Sequence, residues 1–75
     1  MKWEAKISNP KPMDFVIEEK KLHALMDHPD SVEYRLCVFE NNREVYHDHQ
    51  DTLEMAKKVA QKNFKVPMNA WKQID

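Results

Sequence analysis

The sequence predicts a small α+β domain with the order strand, helix, strand, strand, helix, in which a three-stranded sheet carries both helices on one face. Three observations predict it. Apolar residues alternate near the start, two β-rich segments flank Asn41-Asn42, and a helical apolar repeat follows them. With 75 residues, of which 41% are hydrophobic and 33% charged, residues 1–75 are expected to form a single domain.

The first predicted strand lies at the start of the chain. Trp3, Ala5 and Ile7 alternate with charged residues, and a period of two places alternate side chains on opposite faces of a sheet. Residues 9–12 contain two prolines. Because proline lacks an N–H and restricts the residue before it, this segment is expected to be a loop.

A helix is predicted over residues 14–26, before a second proline-containing break at residues 28–31. Four apolar residues share one helical stripe: Phe15, Leu22, Leu25 and Met26. The apolar run at residues 15–17 also fits a strand, because short apolar runs do not distinguish the two structures.

A hairpin is predicted from residues 32–39 and 43–49, which are rich in β-forming side chains. Asparagine tolerates positive φ better than other residues with a side chain, so Asn41-Asn42 fits a two-residue turn. An uninterrupted ladder from that turn predicts seven cross-strand pairs: Glu40–Arg43, Phe39–Glu44, Val38–Val45, Cys37–Tyr46, Leu36–His47, Arg35–Asp48 and Tyr34–His49.

A second helix follows the hairpin. Asp51 is the expected N-cap and Glu54 its capping-box partner. Apolar residues recur at helical spacing: Leu53, Ala56, Ala60 and Phe64. Pro67 cannot continue the helix, and Trp71 and Ile74 are expected to fold back onto the core.

The order of the predicted strands and helices along the sequence restricts how the strands can pair. A right-handed crossover would make the first strand parallel to one later strand. If residues 70–74 add a strand, the pattern becomes ferredoxin-like βαββαβ, which is the alternative fold.

Residues 34–74 resemble a group of small, uncharacterised bacterial proteins. The shared features here are Tyr34-Arg35-Leu36, Asp51-Thr52-Leu53-Glu54, Phe64-Lys65-Val66-Pro67 and Trp71. The resemblance implies a hairpin followed by an Asp-capped helix, and it implies no activity. Lys65 stands where these proteins usually have glycine, at a helix end that often turns left-handed.

The chain contains no glycine, although average usage would give about five. Phosphate-binding loops, dinucleotide fingerprints and nucleophile elbows depend on glycine, so we expect neither an enzyme nor a cofactor. The same absence predicts left-handed backbone at Asn42 and Lys65. Cys37 is the single cysteine, which excludes an internal disulfide and predicts a small core residue.

The net charge and the hydropathy of the chain limit the kinds of partner that we expect. The net charge of −1 gives no overall electrostatic case for a nucleic-acid partner. No apolar run approaches the length of a membrane helix, and no signal-peptide core follows Met1. We therefore expect a cytoplasmic protein without a membrane partner.

Two clusters are candidate sites. His47 and His49 alternate on a strand and so share a face, where they could bind a metal with Asp51 as third ligand. Four lysines form a basic helix end that could contact nucleic acid: Lys57, Lys58, Lys62 and Lys65. These are the alternative functions.

The favoured function is a non-catalytic protein-interaction or accessory module that pairs with another protein or with itself as a homodimer. Small sheets leave edge strands, which invite pairing. The chain also contains five methionines and two tryptophans, and methionine-rich surfaces adapt readily to partners.

Overall fold

A computed structural model describes residues 1–8, 11–22 and 31–74. Its elements are β1 (Lys2–Ile7), β2 (Met13–Leu22), β3 (Ser31–Glu40), β4 (Arg43–Gln50), α1 (Leu53–Phe64), a 3-10 turn (Met68–Ala70) and β5 (Lys72–Gln73). The five strands form one sheet in the order β4-β3-β2-β1-β5, and every neighbouring pair is antiparallel.

The predicted three-stranded sheet with two helices is therefore wrong. The ferredoxin-like alternative is wrong as well, because α1 is the only α-helix within the described ranges. β1 pairs antiparallel with β2 on one side and with β5 on the other, so the expected parallel pairing is also wrong. The helix connects β4 to β5 at the opposite edge of the sheet, and in doing so it covers one sheet face.

The main correction concerns residues 13–22, which form a strand and not the start of a helix. Met13, Phe15 and Ile17 are all buried, while the residues between them are only partly buried. Burial of every second residue requires the period of a strand, and β1 and β3 pair with β2 from both sides. Residues 23–26 of the predicted helix and most of the second break lie outside the described residues.

The Asn-Asn turn is confirmed. Asn41 and Asn42 have φ values of 53° and 63°, which is the left-handed pair that a type I′ turn requires. The pairs Glu40–Arg43 and Phe39–Glu44 also form as predicted. The hairpin turn is therefore fixed by local chemistry.

Beyond Phe39 a β-bulge shifts the ladder by one residue, so the other five predicted pairs are wrong. Val38 faces Tyr46 instead of Val45. The shift directs Tyr46 toward the helix, where its ring lies 5.3 Å from that of Phe64 in an edge-on contact. Val45 is left 46% exposed beside the bulge.

The N-cap of α1 is Thr52 and not Asp51. The Thr52 Oγ1 atom accepts a hydrogen bond from the Met55 N–H at 3.1 Å. Because Asp51 lies one residue too early, its predicted capping role is wrong. Thr52 satisfies one of the N–H groups that the first helical turn leaves unpaired.

The helix ends at Lys65, whose φ of 62° and ψ of 31° confirm the predicted left-handed backbone. This conformation costs a residue other than glycine about 1–2 kcal/mol. In return, the N–H groups of Lys65 and Val66 donate to the carbonyls of Gln61 and Ala60. The chain thereby closes the helix end without glycine.

The core lies between the sheet and α1. Ala56 and Ala60 are fully buried, and their small side chains let the helix approach the sheet closely. The ring of Phe15 makes edge-on contacts with Phe64 and Trp71 at centroid distances of 5.5 and 6.5 Å. The prediction that Trp71 folds back onto the core is thus confirmed.

The tail after Trp71 only partly follows the prediction. Ile74 is 50% exposed, so its expected burial is wrong. Its N–H donates to the carbonyl of Lys2, which attaches the tail to the sheet edge. No helix in the described part of the chain is long and apolar enough to cross a membrane.

Tyr34 anchors the end of the sheet through a polar contact. Its hydroxyl donates to the Glu19 carboxylate at 2.9 Å, and this hydrogen bond raises the pKa of Tyr34 above its usual value of 10.0. We expect Tyr34→Phe to lower the free energy of unfolding by about 1–2 kcal/mol. Because the folded-state pKa is raised, the contribution is complete below about pH 10 and is lost as the pH rises through that pKa.

Urea denaturation at pH 7 and at pH 11 measures this contribution. The difference between wild type and Tyr34→Phe should shrink at the higher pH. Equal differences at both pH values would contradict the assigned hydrogen bond.

Candidate functional site

The two histidines of β4 lie exposed on the sheet face that points away from α1, which we call the outer face. Their ring centroids are 6.1 Å apart. Each has a carboxylate neighbour: Nδ1 of His47 is 3.9 Å from Glu44, and Nδ1 of His49 is 3.0 Å from Glu33.

Asp51 does not extend this cluster into a metal site. It lies exposed beyond the end of β4. Among the described residues, no group of three or more His, Cys, Asp or Glu side chains is arranged to hold a metal ion. The metal hypothesis thus depends on the His47 and His49 imidazoles, each beside a carboxylate.

The four candidate lysines do not share one surface. Lys57 is partly buried, whereas Lys58, Lys62 and Lys65 are exposed. Consecutive helical residues are separated by about 100°, which directs Lys57 to a different side of α1 from Lys58 and Lys62. Lys58 also pairs with Glu54 at 3.2 Å. The four lysines therefore do not form one continuous basic surface.

The outer face is polar and largely satisfied by its own charges. Glu18 lies 3.5 Å from Lys2 and 3.8 Å from Lys20. A face covered by such ion pairs is well hydrated, so covering it would require desolvation of many charges. It is a poor candidate for a stable interface.

Cys37 also lies on this face, and its expected place in the core is wrong because it is only partly buried. Burial is the largest cause that raises the pKa of the Cys37 thiol, and a hydrogen bond to Glu44 raises it further. A protonated thiol is a weak nucleophile. The neighbourhood of Cys37 therefore gives no support for thiol catalysis.

The free edge of β4, in contrast to the outer face, offers accessible backbone groups. β4 ends the sheet and pairs only with β3 in the described part of the chain. The bulge at Val45 interrupts the strand near the turn, so the regular edge consists of residues 46–50. Its outward N–H and C=O groups are positioned to accept a further strand.

Beside this edge, α1 presents an apolar flank. Met55 is 47% exposed, and it lies with Val59 in a shallow recess that Gln50 of β4 closes on the strand side. Lys58 and Lys62 border the same recess. We call these five residues the edge groove. A strand added to β4 would direct alternate side chains into it.

A larger cleft opens where α1 ends, and its volume is about 520 Å³. Its apolar wall is formed by Ile7, Met13, Val45, Tyr46 and Phe64. Its polar rim is formed by Lys11, Glu40, Asn63 and Lys65. Such a volume and lining are typical of small-molecule sites.

Sequence reasoning missed this cleft. Its residues come from β1, β2, the hairpin and the end of α1, and only the folded sheet brings them together. The one local signal was Lys65, whose left-handed backbone was predicted and whose side chain lies at the rim.

No family model, curated protein or solved structure matches this chain. The resemblance of residues 34–74 to small bacterial proteins therefore stays a prediction. What the site can do follows from its own residues, namely a free strand edge, an apolar helix flank and a cleft with a charged rim.

Proposed function

We propose that this chain is a non-catalytic protein-interaction module that forms a homodimer by antiparallel pairing of β4 with β4 of a second copy. The free edge of β4 beside the exposed apolar residues Val45 and Met55 carries this proposal. Backbone hydrogen bonds across two edges supply the pairing, and the apolar residues beside them exclude water.

A second copy suits this edge because a two-fold axis can pass midway between the two copies of His47. In a continuous antiparallel sheet, directly opposite residues point to the same face, so one residue of β4 must face its own copy across the axis. An axis at Asp48 would oppose two carboxylates, and an axis at Tyr46 would place both bulges beside it. With the axis at His47, each Tyr46 hydroxyl lies on the same face as the Asp48 carboxylate of the second copy.

The same arrangement brings the two edge grooves together. Both helices lie on one side of the continuous sheet, with Met55 and Val59 flanking the junction. Because only residues 46–50 form a regular edge, the interface is small and belongs among weak, transient contacts. We therefore expect a monomer–dimer equilibrium that depends on concentration.

Sedimentation velocity over a concentration series up to the millimolar range tests this proposal. We expect Val45→Lys to weaken dimerisation at least tenfold, because lysine on an edge strand opposes pairing. Ile74→Lys is the matched control, since Ile74 is 50% exposed against 46% for Val45 but lies at the opposite edge.

Circular dichroism of both variants confirms that they are folded. A wild-type chain that stays monomeric throughout the series would overturn the proposal. So would equal losses of dimer in the Val45→Lys and Ile74→Lys variants.

A further inference from the structure

The cleft at the end of α1 combines an apolar interior with cations at its rim. Tyr46 and Phe64 make an edge-on aromatic contact at 5.3 Å in its wall, and Ile7, Met13 and Val45 complete the apolar lining. Lys11 and Lys65 both border the opening. An apolar body can therefore enter while a charged head group stays at the rim.

The charge balance at the rim favours an anion. Nζ of Lys11 lies 2.9 Å from the Glu40 carboxylate, so these two charges largely cancel. Lys65 supplies the remaining positive charge, which no ion pair within the described residues neutralises. The negative end of the α1 dipole lies at the same place, but it is equivalent to only about half an elementary charge and therefore offsets only part of the Lys65 charge. Two carbonyls near this helix end also already accept hydrogen bonds from the N–H groups of Lys65 and Val66.

We infer that this cleft binds a small amphipathic monocarboxylate, with its apolar chain against Tyr46 and Phe64 and its carboxylate beside Lys65. Asn63 contributes an amide side chain at the same rim, which can donate to a second carboxylate oxygen. The cleft is complete within one copy, so the monomer can bind this ligand, although Val45 and Tyr46 belong both to the cleft and to the β4 edge.

NMR titration with octanoate, with 1-octanol as the neutral ligand of equal chain length, tests the inference. We expect saturable shifts confined to the cleft amides, and a dissociation constant for octanoate on the order of 0.1–1 mM, as a ligand of this size allows. The alcohol should bind several-fold more weakly, because it lacks the charge that Lys65 recognises.

The substitution Lys65→Gly distinguishes an effect on octanoate binding from an effect on the stability of the fold. Glycine adopts the left-handed conformation of this position without cost, so the variant should melt at a higher temperature than wild type and yet bind octanoate about fivefold more weakly. Lys72→Gln is the matched control, since Lys72 is an exposed lysine outside both the cleft and the edge groove, and its affinity should equal that of wild type.

Three results would overturn the inference: equal affinities for octanoate and 1-octanol, unchanged octanoate binding by Lys65→Gly, or shifts spread over the whole surface. Tighter binding of a peptide that ends in a free leucine carboxylate would assign the cleft to protein C-termini instead. A monomeric wild type that still binds octanoate would overturn the proposed dimer alone.

Discussion

Phe15→Ala is expected to lower the free energy of unfolding by about 3–5 kcal/mol. Phe15 is fully buried in the centre of the sheet, and its ring contacts Phe64 at the end of α1 and Trp71 in the tail. Its removal leaves a cavity that the strands on both sides cannot fill. Because a domain of this size is marginally stable, the variant should lose most of its folded population.

Urea denaturation followed by tryptophan fluorescence measures the loss. Phe39→Ala is the matched control, because Phe39 is only partly buried and lies on the outer face. We expect it to cost clearly less than Phe15→Ala. Equal losses at the two positions would contradict the assignment of the core to the face that α1 covers.

Ile17→Ala is expected to cost about 2–5 kcal/mol, because Ile17 is also fully buried. This substitution distinguishes the strand from the helix that the sequence predicts over residues 14–26. In a helix, Ile17 would lie about 200° from Phe15 and point away from the apolar stripe. In the strand, both residues share the buried face.

Val16→Ala is the comparison for this experiment, because the strand directs Val16 to the outer face between Glu4 and Cys37. Its cost should be about 1 kcal/mol, the size of a partly buried truncation. A larger loss at Val16 than at Ile17 would contradict the strand and its register.

Local signals predicted several features well. The alternation of Trp3, Ala5 and Ile7 predicted β1, and the Asn41-Asn42 pair predicted its turn together with the two cross-strand pairs nearest to it. The left-handed helix end at Lys65 was predicted from its place after the helix, where the resembling proteins usually have glycine, and it is confirmed. In each case the determining interactions lie within a few residues, so the sequence itself contains them.

The errors arise where tertiary contacts decide the structure. The stripe that predicted a helix relied on Leu22, Leu25 and Met26, whereas β2 is determined by strands that pair on both of its sides. The bulge beside Val45 likewise occurs together with a contact between Tyr46 and Phe64, which are distant in the sequence. Neither set of contacts is visible in a short window of sequence.

For the candidate sites, too, local spacing was predicted correctly, whereas the arrangement of distant residues was not. The pair His47 and His49 does share one face of β4, as their spacing predicts, but Asp51 is separated from them by the end of the strand. The four candidate lysines were identified as a cluster at the basic end of the helix, but helical geometry directs Lys57 to a different side from Lys58 and Lys62. The edge groove and the cleft could not be predicted, since each joins residues from separate elements of the fold.

Hydrogen exchange of the β4 amides measures whether β4 pairs with a second copy along its free edge, as we propose. At low concentration, the outward-facing amides among residues 46–50 should exchange rapidly. At high concentration they should slow, while the amides of β5 keep their rates. If the β4 amides exchange at the same rate at every concentration, the edge does not pair and the proposed dimer is wrong.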